Sequence, residues 1–97
     1  MLRNTVSDEP VQIPVDGVLD LHTFRPGETA ELVQEYLLVC LEEGITQVRI
    51  IHGKGKGVQR KIVHSLLSRL EFVSSFEAAD VTAGGWGATI VVLRPEQ

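Results

Sequence analysis

The chain has a single cysteine, Cys40, so it can form no internal disulfide and no cysteine-cluster metal site. No apolar run approaches the roughly 18–20 residues of a membrane span. The basic start, apolar stretch and small-residue cleavage site of a secretory leader are missing too. A cytoplasmic setting with no membrane partner is the expectation. Aromatic side chains are scarce, with one tryptophan and one tyrosine. Acidic residues are absent from one stretch: the chain holds 13 Asp and Glu and a net charge of −4, yet none lies between residues 44 and 70. Arg49, Lys54, Lys56, Arg60, Lys61 and Arg69 all fall in that window. Charges are screened beyond roughly 8–10 Å at physiological salt, so a basic face on an acidic domain can still hold phosphate.

What is present suits one small domain of 97 residues, 43% of them apolar. Residues 1–10 mix polar and charged types and read as a flexible tail, leaving 11–97 as the domain. Val11, Ile13 and Val15 alternate with polar neighbours, but Pro14 limits this to an edge segment. Val18 to His22 alternates as a short strand. Pro26 suits a first helical position, and Ala30, Val33, Leu37, Cys40 and Leu41 recur at helical spacing up to about Glu43. Gln47 to Ile51 reads as a buried strand. A second helix follows, with Val58, Ile62, Leu66 and Leu70 four apart and His64 on its polar, solvated face. Phe76 to Asp80 and Ala88 to Leu93 complete the set as strands. The order βαβαββ predicts a two-layer α/β sandwich: a mixed four-stranded sheet carrying two helices. Strands joined by helices are expected as parallel neighbours, and the last pair as antiparallel.

The strand ending at Ile51 runs into His52-Gly53-Lys54-Gly55-Lys56-Gly57. Glycines let the backbone approach a ligand closely. The helix that follows offers unpaired N–H groups and a partial positive charge. Strand, glycine loop and helix start together make a phosphate seat. The spacing matches neither the Walker loop nor the dinucleotide fingerprint. In this topology His22, His52 and the loop Gly84-Gly85-Trp86-Gly87 all lie at strand carboxyl ends, the edge where open α/β sheets bind ligands. Trp86 is placed either to cap the core or to stack on an unpaired base.

Three stretches in register, Leu19-Asp20-Leu21-His22, Ile51-His52-Gly53-Lys54-Gly55 and Gly84-Gly85-Trp86-Gly87-Ala88-Thr89, resemble the signatures of the small MutS-related (Smr) domain, over residues 18 to 94. The resemblance implies a two-layer α/β fold, nucleic-acid binding and, in several branches, endonuclease action on DNA or RNA. It also implies links to DNA repair, recombination or cleavage of messenger RNA on stalled ribosomes. Functional residues are implied at Asp20, His22, His52, Gly53 and Gly55. Thr23 departs from the family, where glycine commonly follows the first histidine.

Phosphodiester cleavage needs a nucleophile, a proton acceptor, a proton donor and positive charge for the phosphoryl oxygens. Two-metal nucleases hold their ions with several carboxylates, and this edge offers one acid, Asp20. No cofactor is therefore required, and a single Mg²⁺ on Asp20 stays open. RNA, with a built-in 2′-hydroxyl nucleophile, is the favoured substrate, and DNA nicking the other. The catalytic set expected is Asp20, His22 and His52, with His52 as base and His22 as acid. Lys54 and Lys56 are expected to lower the His52 pKa. Gly53, Lys54, Gly55, Lys56, Arg60, Gly85 and Trp86 are the expected phosphate and nucleic-acid contacts. A non-catalytic module that binds nucleic acid or ribosomes is the alternative, and a site for a small phosphorylated metabolite a third. Nothing in the sequence fixes the oligomeric state.

Overall fold

The protein is described here by a computed structural model covering residues 13–53, 57–79 and 87–95. The expected tail, the loop residues Lys54, Gly55 and Lys56, and Gly85 and Trp86 of the last loop lie outside the described residues. Among the described residues six elements follow in order: β1 (Val18–Asp20), α1 (Pro26–Glu42), β2 (Gln47–Ile51), α2 (Val58–Leu67), β3 (Val73–Ala78) and β4 (Ala88–Leu93). The mixed four-stranded sheet with two helices is the architecture the sequence predicts.

Local chemistry sets the helix bounds. Pro26 opens α1, where its missing N–H leaves no bond unmade. The Glu28 carboxylate reaches back to accept from the Arg25 N–H at 3.0 Å, closing the first turn. The second helix stops at Leu67, a turn short of the expected Leu70, which packs beside the core from the following turn. The third strand starts earlier than expected, at Val73, and is paired up to Ala78, with a register irregularity between Val73 and Ser75.

The sheet order is β1-β2-β4-β3. β1 and β2 are parallel, and β3 and β4 antiparallel, as expected. The expected pairing of β2 with the third strand does not form. β4 lies between them, antiparallel to both. The final strand is an apolar run of Ala88, Thr89, Val91 and Leu93 with its inward positions fully buried. A central place satisfies such a strand on both ladder edges, whereas β3, with Ser74, Ser75 and Glu77 exposed, tolerates the sheet edge. β3 still runs in the direction of β2, so the carboxyl ends of β1, β2 and β3 share one edge of the sheet.

One face of the sheet carries the core. Leu19, Val48, Ile50, Val91 and Leu93 point to it and meet Val33, Tyr36, Leu37 and Cys40 of α1 and Val63, Leu66 and Leu67 of α2. Cys40, on the apolar stripe expected of α1, is buried in the core, where desolvation pushes its thiol pKa up. Tyr36 is fully buried; its hydroxyl accepts from the Gly17 N–H at 3.1 Å and donates toward the Val18 carbonyl at 3.2 Å, tying α1 to the start of β1. Ile13 and Val15 pack on the core without joining a ladder.

Candidate functional site at the strand carboxyl ends

Three backbone contacts draw the expected motifs together. The Leu21 N–H donates to the Ile51 carbonyl at 2.9 Å, extending the β1–β2 ladder to the residue before His22. The N–H groups of His52 and Gly53 both donate to the Gly87 carbonyl at 2.9 Å. The first histidine motif, the glycine loop and the end of the β3–β4 loop therefore converge. Gly53 and Gly57 flank the loop with φ of 83° and 82°, a left-handed conformation that a side chain would strain. Gly57 is the N-cap of α2. The exposed Arg60 guanidinium approaches within 3.8 Å of where a Cβ on Gly57 would project, so its charge sits at the loop exit.

Asp20 and His22 form an exposed dyad, with side chains 48% and 73% accessible. Asp20 Oδ1 accepts from the His22 backbone N–H at 3.0 Å and faces His22 Nδ1 at 2.9 Å. Those two bonds hold the Asp20 carboxyl below the usual carboxylate range, the backbone bond contributing most. An ionised carboxylate only accepts, so Nδ1 carries the proton and Nε2 is the ring nitrogen turned away from Asp20. The arrangement fixes the tautomer of an exposed imidazole, as the acid of a catalytic triad does.

His52 is placed differently. It is 8% exposed, and both ring nitrogens have internal partners. Nδ1 lies 3.1 Å from the Gly53 carbonyl and Nε2 lies 2.8 Å from the Thr89 hydroxyl. Burial pushes its pKa below the ordinary histidine value; the Gly53 bond opposes this and the Arg60 charge adds to it. The direction is the expected one, with desolvation as the main cause.

The solvated position expected for His64 is not what forms. Residues advance about 100° along a helix, which puts His64 only about 60° from buried Leu67, on the flank of the apolar stripe. Its ring packs on Phe76 at 5.1 Å between centroids and meets the His52 ring edge-on at 6.1 Å. His64 Nε2 lies 2.8 Å from the same Thr89 hydroxyl. Burial, His52 and Arg60 all lower its pKa, burial most.

Hydrogen accounting orders this chain. The Gly53 carbonyl can only accept, so His52 Nδ1 bears the proton and Nε2 accepts. The Thr89 hydroxyl then donates to His52 Nε2, and its oxygen accepts from His64 Nε2–H. One directed chain, His64 to Thr89 to His52 to the Gly53 carbonyl, runs from α2 through β4 to the glycine loop with both histidines neutral. Thr89 lies within the third signature, and an inward-facing threonine in an otherwise apolar run is the sequence signal that marks it.

Among the described residues no group of three or more His, Cys, Asp or Glu is arranged to hold a metal ion. Both His22 contacts fall on Asp20 Oδ1, so a Mg²⁺ ion at this carboxylate would be held through Oδ2. No helix among the described residues is long and apolar enough to cross a membrane.

Comparison with known proteins agrees with this fold. The Smr domain family matches residues 19–94. The chain is 36% identical over 80 residues to Endonuclease MutS2 of Lactococcus lactis subsp. cremoris (strain MG1363), covering 82% of this chain and 10% of that protein. It is 42% identical over 76 residues to Endonuclease MutS2 of Streptococcus gordonii, covering 78% of this chain and 10% of that protein. The chain thus spans about a tenth of the length of these curated relatives. Among solved structures, the Smr domain of Thermus thermophilus MutS2 superposes with a TM-score of 0.79 at 34% identity, covering 82% of this chain and all of that one. YdaL, a stand-alone small MutS-related protein from Escherichia coli, gives 0.75 at 30% identity, covering 80% of this chain and 64% of that one. With its three motifs meeting at one sheet edge and its matched span running from β1 to the end of β4, the chain belongs to the Smr domain family.

Proposed function

We propose that this domain binds nucleic acid along its strand-carboxyl edge and cleaves phosphodiester bonds there, with RNA as the favoured substrate and DNA nicking as the alternative outcome. The observation that carries the reading is the exposed Asp20–His22 dyad at the edge where the glycine loop ends. The basic side chains Arg60 and Lys61 on α2, with Lys54 and Lys56 of the loop, supply charge for the phosphates, and Gly53 and Gly55 admit the backbone. Gly85 and Trp86 belong to the loop that ends at Gly87, where an indole can stack on an unpaired base. The family link to proteins named endonucleases supports the reading.

In the RNA reaction His22 Nε2 takes the proton of the 2′-hydroxyl. The 2′-oxygen bonds to phosphorus as the bond to the 5′-oxygen breaks, leaving a cyclic phosphate. His22 then returns its proton to the 5′-oxygen. Asp20 holds the imidazole tautomer, with the proton on Nδ1 and Nε2 turned toward the substrate. His52, with both nitrogens bonded inside the fold, serves this reaction by holding the Gly53 end of the loop rather than by exchanging protons with substrate. No step is routed through Mg²⁺.

The test is incubation with single-stranded RNA and with supercoiled plasmid, each with and without EDTA. Cyclic-phosphate RNA products in EDTA support the proposal. Metal-dependent plasmid nicking alone would move the assignment to DNA. A second reading, a binding module without catalysis, is favoured by the burial of His52, and binding with no cleavage under any ion or pH would establish it.

A further inference from the structure

We infer that Gln59, in the first turn of α2, is the positioning residue that holds the His22 turn in register with the phosphate seat. The inference rests on the proposed proton chemistry of His22. Gln59 is half-buried, and its amide joins three elements. Nε2 donates to the Phe24 carbonyl at 2.9 Å and to the Leu21 carbonyl at 3.3 Å. Oε1 accepts from the hydroxyl of Thr29, a fully buried residue of α1. Flipping the amide would set its oxygen against two carbonyls, so this orientation is the only one that satisfies all three contacts.

The two carbonyls bracket His22. Leu21 is held by its N–H on Ile51 and by its carbonyl on Gln59, and the Phe24 N–H closes the turn on the Leu21 carbonyl at 2.9 Å. Asp20 orients the ring of His22, and Gln59 places its backbone. The clamp starts two residues after the N-cap Gly57 and next to Arg60, the residue proposed to meet phosphate. One helix end therefore carries both the charge that seats the substrate and the amide that places the proton acceptor. Gln59 touches no substrate; a displacement of about 1 Å at a reacting group can lower a rate about 10²-fold.

The variants Gln59→Met and Gln59→Glu test this. The first keeps side-chain length and loses every bond; the second keeps the Thr29 contact and turns a carboxylate on the two carbonyls. On a single-stranded RNA oligonucleotide kcat should fall about 10²-fold, with KM changed by less than about twofold. Amide exchange at Phe24 should speed up about tenfold, with His52 and Thr89 amides unchanged. A kcat within about twofold of the parent, or a lower kcat without faster Phe24 exchange, would overturn the inference. Should the parent fail to cut RNA, the proposed function fails separately and exchange decides the clamp: unchanged Phe24 exchange in both variants would refute it. Should Gln59→Met not fold, Gln59→Glu and Thr29→Val, which loosens the clamp from α1, give the same two readouts.

Discussion

Replacing Thr89 with valine removes one hydroxyl and keeps the shape of the side chain. That hydroxyl sits 2.8 Å from His52 Nε2 and 2.8 Å from His64 Nε2. In Thr89→Val the first loses its donor and the second its acceptor. His52 is 8% exposed, so water cannot replace the lost bond there, and a buried group left unpaired costs about 1–3 kcal/mol. His64 is only partly buried and recovers some solvation. The added methyl gains at most about 0.8 kcal/mol of apolar burial. With the partial loss at His64 offsetting the methyl gain, a net destabilisation of about 1–3 kcal/mol follows, which for a domain of this size lowers Tm by roughly 10 °C. Urea unfolding at pH 7.5 measures the first and a thermal scan the second. The directed chain also sets tautomers: ¹⁵N correlation spectra of the parent should show His52 protonated at Nδ1 and His64 at Nε2. A valine variant within about 0.5 kcal/mol of the parent, the usual range of neutral substitutions, or a His52 protonated at Nε2, would refute the hydrogen-bond order.

Stability should also fall as the solution is acidified. His52 and His64 have lowered pKa values, so the unfolded chain binds more protons as pH drops below the ordinary histidine value of about 6.5. Their contribution is complete above that value and is lost as pH falls through the folded values; His64→Gln should shrink the loss, and an unchanged slope would count against it. Asp20, also lowered, loses its contribution only below the ordinary carboxylate range, so Asp20→Asn should leave the slope between about pH 5 and 7 as it was. Asp20→Asn should lower kcat for RNA about 10²-fold or more with KM near the parent's, and His22→Ala about 10²–10⁴-fold; equal rates would remove the dyad from the chemistry. Arg60→Glu should weaken binding and flatten its dependence on salt, and an unchanged salt slope would take α2 out of the interface.

Element order, both helices and the shared carboxyl edge could be read from the chain because each rests on local pattern: the stripe from Val33 to Cys40, the alternation before His22, the glycines after His52. The Asp20–His22 pair was legible as residues i and i+2 of an expected strand, although β1 ends at Asp20 and it is the turn at His22, with its N–H on the Asp20 carboxylate, that brings the two together. The position of β4 was not, because strand order depends on which edge best buries the run Ala88 to Leu93, and no neighbour in sequence reports that. His64 was misplaced by a helix-face argument that separates polar from apolar too sharply at about 60° from a buried leucine. The burial of His52 escaped because its partners, Gly53 aside, lie on β4 and on α2. Gln59 escaped because a polar residue in a helical first turn looks the same whether it faces water or two backbone carbonyls and a threonine hydroxyl.

The place of β4 has a consequence for how the domain is made. The last of the described strands lies inside the sheet, bonded to β2 on one side and β3 on the other. During synthesis β1 and β2 can pair early, but β3 has no partner and β2 keeps an open edge until Leu93 has emerged. The long-range ladders then close together at the end, a topology that slows folding. Until that moment Val48 and Ile50 have no sheet neighbour beyond β2, and a chain cut short within the β3–β4 loop would present that edge to other chains. The same strand that carries Thr89 into the polar chain beneath the glycine loop is thus also the one that makes the sheet continuous, so the site and the fold are completed in a single event.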